Sequence, residues 1–281
     1  MARAYIYGDS LLKATMPDEQ FHYHFHLPEV MERYSGRQTE VVNRSKMGAT
    51  IRKGQALLEH DLQRGMQADY ALIAYGGNDS DFDWDAVQDS PRESHLPRTT
   101  LADFKQILLQ MLRQLKDKGV QPVLMTLPPI DAQRYLDFLC RDNLRRDRIL
   151  DWLGEPQMIY RHQELYADTA AEIALRENIP LIPVRQTFLR NHRLSQLIAA
   201  DGIHLTVPGY EQLFDTLADG GPHFRPVHHL HQLGLVALHD FIDVKMIVKI
   251  SVRHRGLQQR VSVNINLIRH GYDLHPSFFL I

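Results

Sequence analysis

Short apolar runs and stretches of helical periodicity take turns along the chain up to about residue 221. Five runs read as strands: Ala4 to Tyr7, Glu40 to Asn43, Tyr70 to Tyr75, Val123 to Leu127 and Leu181 to Val184. Each is brief, rich in apolar residues and bounded by Gly, Pro or Asn. Between them, Phe104, Ile107, Leu108, Met111, Leu112 and Leu115 recur at the spacing of one helix face. Thr100 and Asp103 are set as a capping-box start to that helix, and Gly119 as its stop. Leu165, Tyr166, Thr169, Ala170, Ile173 and Ala174 form a second stripe, which ends near Asn178 ahead of Pro180. Strand and helix in strict alternation predict right-handed βαβ units. The expected fold class is α/β, a three-layer α/β/α domain around a five-stranded parallel sheet.

The pattern changes after Gly220-Gly221-Pro222. The last 60 residues hold eight of the 16 histidines, one alanine (Ala237) and no glutamate, so good helix formers are scarce there. Val244, Met246, Val248, Ile250 and Val252 alternate with mostly polar residues, and so do Val261, Val263, Ile265 and Leu267. Joined through Arg255-Gly256, the two runs predict a β-hairpin with one apolar face. Such a face must be covered, by the main domain or by another subunit, which makes the extension a candidate route to a homo-oligomer. The chain is thus read as a domain over residues 1–221 and an extension over residues 222–281.

Composition narrows the function classes. Apolar and charged fractions of 44% and 23% are those of a soluble globular protein, not of a disordered or membrane-spanning one. A net charge of −2 lacks the basic excess that a nucleic-acid partner calls for. Cys140 is the single cysteine, so no internal disulfide can form. The apolar stretch from Leu233 to Ile250 is broken by His239, Asp240, Asp243, Lys245 and Lys249, which argues against a membrane span. Met1-Ala2-Arg3 leads into an apolar run too short for a secretory leader, so a cytoplasmic location is expected.

Candidate chemistry collects where the predicted strands end. In an open parallel sheet, ligands bind outside the carboxyl ends of the strands. Ser10 follows the first strand within Gly8-Asp9-Ser10, Gly48 follows the second, and Gly76-Gly77-Asn78-Asp79 follows the third. Asp201-Gly202-Ile203-His204 follows the fifth. A serine hydroxyl becomes a useful nucleophile when a histidine takes its proton and a carboxylate holds that histidine in the right tautomer. Ser10, His204 and Asp201 supply those three parts. Acyl transfer also needs donors for the oxyanion. The backbone N–H groups of Ser10 and Gly48 and the side-chain amide of Asn78 are the candidates, with glycine at 48 expected to let the backbone approach the substrate closely.

These blocks resemble those of the SGNH hydrolase superfamily, also called the GDSL esterase/lipase family. Gly8-Asp9-Ser10-Leu11 is similar to its first block. Asn43, Gly48 and Thr50 are similar to the second, Gly76-Gly77-Asn78-Asp79 to the third, and Asp201-Gly202-Ile203-His204 to the last, extended by Leu205-Thr206 and Pro208-Gly209-Tyr210. Arg44-Ser45-Lys46-Met47 departs from the small residues many members carry in the second block, and nothing in the family pattern corresponds to the chain beyond Pro222. The resemblance covers residues 1 to about 221. It implies a flavodoxin-like fold, no metal or other cofactor, and hydrolysis of esters by Ser10, Asp201 and His204, with Ser10, Gly48 and Asn78 at the oxyanion. The resemblance does not name the acyl group or the alcohol; the expected partner is a small-molecule ester with a small or medium acyl group, such as an O-acetyl group on carbohydrate. An acyltransferase on the same site, or a non-catalytic binding protein with this fold, are the alternatives.

Other motifs give way to plainer readings. Asp79, Asp81, Asp83 and Asp85 alternate as in a calcium loop, but Trp84 and Ser90 stand where that loop needs Gly and Glu. A solvated acidic loop, with Phe82 and Trp84 turned to the mouth of the site, is expected instead. His22, His24 and His26 alternate with Phe21, Tyr23 and Phe25 and have no carboxylate at ligand spacing, so an aromatic lid is expected rather than a zinc site. His228, His229 and His231 are likewise not read as metal ligands. Neither a phosphate-binding Gly-x-Gly-x-x-Gly nor a Gly-x-Ser-x-Gly elbow is present.

Overall fold

Side chains alternate across a strand, and here the alternation sorts each central strand between two cores. The computed structural model describes residues 2–25, 39–219, 244–253 and 260–269. On strand β5 (Tyr70–Ala74), Ala71 and Ile73 join one core while Leu72 and Ala74 join the other. On β6 (Gln121–Met125), Leu124 goes to the first and Val123 and Met125 to the second. Both faces of the sheet are therefore apolar, as a parallel sheet between two helix layers requires.

The sheet has five parallel strands in the order β4-β1-β5-β6-β7, where β1 is Ala2–Gly8, β4 is Thr39–Asn43 and β7 is Leu181–Ile182. Between β1 and β4 in the chain, β2 (Thr15–Pro17) and β3 (Tyr23–Phe25) pair antiparallel in a small hairpin. β1 pairs with β4 on one side and β5 on the other, so the order of connection reverses there. Such a reversal opens a crevice at the carboxyl ends of the two neighbouring strands. Ser10 leaves β1 and Asn78 leaves β5, one from each side of that crevice. β7 is only two residues long because Pro183, which has no N–H for a ladder, starts the next helix.

Helices α1 (Ile51–Gln63), α3 (Leu101–Asp117) and α6 (Gln157–Arg176) supply Leu58, Phe104, Met111, Tyr166 and Ile173 to the first core. The second core is closed by α7 (Val184–Leu189), α8 (Leu194–Leu197) and α9 (Val207–Asp219) through Phe188, Leu197, Tyr210 and Leu213. A third apolar cluster forms beyond the ends of β5 and β6. It joins Phe82 to α2 (Trp84–Asp89), α4 (Ala132–Leu139) and α5 (Arg146–Leu153).

Thr100 Oγ1 accepts the Asp103 N–H at 3.2 Å at the start of α3, and Gly119 follows the helix with φ 73°. α6 starts eight residues ahead of its apolar stripe, and four of the stripe's six residues, Tyr166, Ala170, Ile173 and Ala174, lie on its buried face. Leu165 is 50% exposed, while Gln163, Tyr166, Ala167, Ala170, Ile173 and Ala174 face inward. The true face runs from Ile159 at steps of three and four residues, and Gln163 hides it by being polar.

By its internal contacts the chain divides into two compact units, Met1–Pro226 and Val227–Ile281. In the second, β8 (Val244–Arg253) and β9 (Arg260–Arg269) pair antiparallel. Met246 stands opposite Leu267, Val248 opposite Ile265, Ile250 opposite Val263 and Val252 opposite Val261. The composition break at Gly220-Gly221-Pro222, the Arg255-Gly256 connection, and His26, His228, His229 and His231 lie outside the described residues. Among the described residues no helix is long and apolar enough to cross a membrane.

Gly54 lets α1 approach the end of β5, because a Cβ there would run into the ring of Tyr75. Alanine would gain about 1 kcal/mol of helix propensity, but overpacking costs about 1–3 kcal/mol. Gly54→Ala is therefore expected to lower the urea-unfolding free energy; a more stable variant would show that the ring yields freely.

Candidate active site

Asp201 and His204 are held by the chain's own turn. The Ala199 N–H donates to the His204 carbonyl at 2.8 Å, the Thr206 N–H to Leu197 at 3.0 Å and the Gly202 N–H to Ala199 at 3.0 Å. Gly202 takes φ 81°, and a Cβ on it would overlap the backbone of Asp131 and Tyr135, so only glycine fits. Within this turn one Asp201 oxygen accepts the N–H groups of Ile203 (3.2 Å) and His204 (3.0 Å). The other faces His204 Nδ1 at 2.6 Å. His204 Nε2 then meets Ser10 Oγ at 2.9 Å across 194 residues of sequence. Burial alone would push the Asp201 carboxyl up, but the His204 ring and the two N–H donors outweigh it and leave it below its usual value. An ionised, fully buried carboxylate behind a histidine fixes the tautomer that leaves Nε2 free to take a proton from Ser10.

Ser10 opens a short 3₁₀ turn, Leu11–Lys13, directly after β1. Asp9 beside it is buried and accepts the Leu11 N–H at 3.0 Å and Asn78 Nδ2 at 3.1 Å. An amide nitrogen carries two protons. Asp9 engages one and thereby orients the Asn78 amide with its NH2 group, not its oxygen, toward the carboxylate; the second proton is left to donate elsewhere. Asp79, next to Asn78, accepts the Ile51 N–H at the start of α1 (3.0 and 3.1 Å) and ties the loop after β5 to that helix. Its burial pushes its pKa up to about 6, against that N–H donor. These roles of Asp9 and Asp79 are tertiary, and no spacing in the sequence announces them.

Gly48 sits on the exposed turn after β4, where the Lys46 N–H donates to the Gly8 carbonyl at 3.1 Å and the Ala49 N–H to Lys46 at 3.2 Å. Arg44 pairs with Asp61 of α1, and Tyr7 Oη donates to the same carboxylate at 2.9 Å, which anchors the turn from below. A Cβ on Gly48 would meet no atom of the chain within 4 Å, and its φ of 67° is a second reason for glycine there. Gly48 is not among the residues lining the cavity beside Ser10.

That cavity, of about 90 Å³, is lined by Ser10, Asn78 and His204 and walled by Leu11, Phe82, Trp84, Leu127, Pro128, Ile130, Tyr135, Ile159 and Ile203. Phe82 and Trp84 turn to the cavity as expected, but only Asp83 and Asp85 of the loop's carboxylates are exposed to solvent. Phe82 and Trp84 are buried, Asp79 is buried, and Asp81 is held by Trp84 Nε1 at 2.8 Å with Arg98 at 3.6 Å. Asp83 instead caps α2, accepting the Ala86 N–H at 3.2 Å. Gln163 also lines the cavity. Its Nε2 donates to the Pro128 carbonyl at 3.1 Å, while Oε1 is buried with no donor, a state that costs about 1–3 kcal/mol. The signal for Gln163 was in the sequence, as a polar residue on the buried face of α6.

The β2–β3 hairpin brings Tyr23 over the histidine, with ring centroids 5.1 Å apart. Burial and the nearby Asp201 carboxylate push the Tyr23 hydroxyl up to about 12. The aromatic segment does carry a carboxylate. Asp18 lies 3.4 Å from His22 Nδ1 and 3.0 Å from His24 Nε2, four and six residues ahead of them in sequence. Among the described residues no group of three His, Cys, Asp or Glu gathers to hold a metal ion.

Comparison with known proteins bears on the family and the fold. No curated protein matches the chain. Solved structures do. A lipase/acylhydrolase from Enterococcus faecalis superposes with TM-score 0.52 at 20% identity, covering 77% of this chain and 93% of that one. A variant of an acetyl xylan esterase from Geobacillus stearothermophilus gives 0.54 at 17%, covering 78% and 94%. An alpha/beta hydrolase from the metagenome of Lake Arreo, Spain, gives 0.54 at 19%, covering 80% and 96%. At these identities the likeness is one of fold. The family model settles the class: it matches residues 6–212, and the chain belongs to the GDSL-like lipase/acylhydrolase family of carboxylic ester hydrolases.

Proposed function

We propose that the chain hydrolyses small or medium acyl esters through an acyl-enzyme on Ser10. The observation that carries this reading is the unbroken line from Asp201 through His204 to Ser10 Oγ, with contacts of 2.6 and 2.9 Å. Ser10 attacks the ester carbonyl as His204 takes its proton, and Asp201 stabilises the imidazolium that results. The free proton of the Asn78 amide and the N–H groups of Ser10 and Gly48 receive the oxyanion. His204 then protonates the leaving alcohol, and a water activated by the same nitrogen releases the acid. A cavity of roughly 150 Å³ takes up benzene, so one of about 90 Å³ suits a short acyl group. Carbohydrate O-acetyl groups fit that size, and the acetyl xylan esterase among the similar folds supports including them.

A fluorophosphonate probe is expected to label the protein at Ser10 and to leave Ser10→Ala unlabelled, read by peptide mass spectrometry; equal labelling of the variant would remove Ser10 from the role. Asn78→Ala is expected to lower kcat on p-nitrophenyl acetate by about 10²–10³ with an unchanged circular dichroism spectrum. An unaltered kcat would take Asn78 out of the oxyanion site.

A further inference from the structure

Asp201 has no exposed surface and His204 is 4% exposed. A hydrogen bond to a charged partner is stronger where water is kept from it. Part of the cover over this pair comes from the β2–β3 hairpin, nearly 200 residues away in the chain. Tyr23 sets its ring 5.1 Å from the His204 ring, inclined at 56°. Burial and the nearby Asp201 carboxylate both push its hydroxyl up, which places the phenol beside the two catalytic side chains together. Tyr23 is not among the residues lining the cavity beside Ser10, so it meets His204 without forming a wall for the substrate.

A pair of three-residue strands does not hold its place unaided. Here it is tied down at both ends. The Thr15 N–H donates to the Ser10 carbonyl at 3.2 Å, and Tyr210 Oη of α9 donates to the Thr15 carbonyl at 2.7 Å. In the turn, one Asp18 oxygen accepts the N–H groups of Gln20 and His22 at 2.9 and 2.8 Å. Phe21 there takes φ 60°, a conformation unfavourable for an aromatic residue that persists only where the surroundings hold it. Its ring meets Phe138 of α4 at 5.1 Å and the Arg141 guanidinium at 5.2 Å.

We propose that Tyr23 is a positioning residue for the reaction at Ser10: its ring holds the His204 imidazole in line with Ser10 Oγ and keeps water from the His204–Asp201 hydrogen bond. The proposal rests on Ser10 and His204 acting as described above and adds a residue on which they depend. Because Tyr23 acts through His204, its removal slows the chemical step and leaves substrate binding alone. The ring is the working part, and the hairpin is its mount.

The test compares wild type with Tyr23→Ala, Tyr23→Phe and Phe21→Ala by two readouts, steady-state turnover of p-nitrophenyl acetate and the proton NMR resonance of the His204 Nδ1–H that Asp201 accepts. Tyr23→Ala is expected to lower kcat about tenfold or more, with KM held within about threefold. Its Nδ1 proton is expected to exchange faster with water and broaden. Tyr23→Phe, which keeps the ring, is expected to restore most of both losses. Phe21→Ala leaves Tyr23 in the chain but frees the hairpin from α4, and it should move both readouts in the same direction as Tyr23→Ala. If Tyr23→Ala fails to fold by circular dichroism, Phe21→Ala carries the comparison. The proposal is overturned if kcat and the proton are both unaltered in the folded variants, or if KM alone rises, the mark of a substrate contact. A Tyr23→Phe variant as impaired as Tyr23→Ala would also overturn it, by assigning the effect to the hydroxyl. Absence of any turnover in wild type would instead count against the esterase reading, while exchange of the Nδ1 proton would still measure the cover.

Discussion

A carboxylate can be buried only where donors surround it, and the carboxyl edge of this sheet is built around three that meet the condition. Asp201 collects two backbone N–H groups and the His204 ring, Asp9 collects the Leu11 N–H and the Asn78 amide, and Asp79 collects the N-terminus of α1. Each therefore fixes a loop as well as a charge. Through them the segments after β1 and β5 and the turn before α9 are locked to one another, although no covalent or ladder bond joins them.

The three carboxyl groups differ in a way that suits their places. Asp201 is drawn below its ordinary range by its donors, so it stays ionised and can support positive charge on His204. Burial wins at Asp9 and Asp79, which are both raised. Asp9 accepts the amide of Asn78, which lines the same cavity as Ser10, and Asp79 accepts a helix end. The charge that supports the imidazolium lies directly behind His204, on the Nδ1 side of the ring, while Nε2 faces Ser10.

Much of this was legible in the chain. The five strands are short apolar runs with sharp boundaries, and Ser10 and Asn78 lie in contiguous blocks just after β1 and β5, whereas the block of Asp201 and His204 comes after α7 and α8, on the turn before α9. What escaped notice depended on contacts between distant segments. Tyr23 reaches His204 from a hairpin of three-residue strands too short to show a period. Asp9 looks like part of a turn until Asn78 is beside it. The stripe of α6 marks most of its buried face, but it includes the half-exposed Leu165 and leaves out Gln163, which is buried though polar. The left-handed backbone of Gly48 was not legible either, since a positive φ leaves no trace in sequence beyond the glycine itself.

The central claim is that Ser10, His204 and Asn78 act on one carbonyl carbon and its oxygen. The crystal structure of a phosphonate adduct measures this most directly. The account predicts phosphorus bonded to Ser10 Oγ, with a phosphoryl oxygen at about 2.7–3.1 Å from Asn78 Nδ2 and from the N–H groups of Ser10 and Gly48, and with Asn78 still donating to Asp9. A phosphoryl oxygen turned to solvent, or an Asn78 amide that abandons Asp9 and faces away, would contradict it.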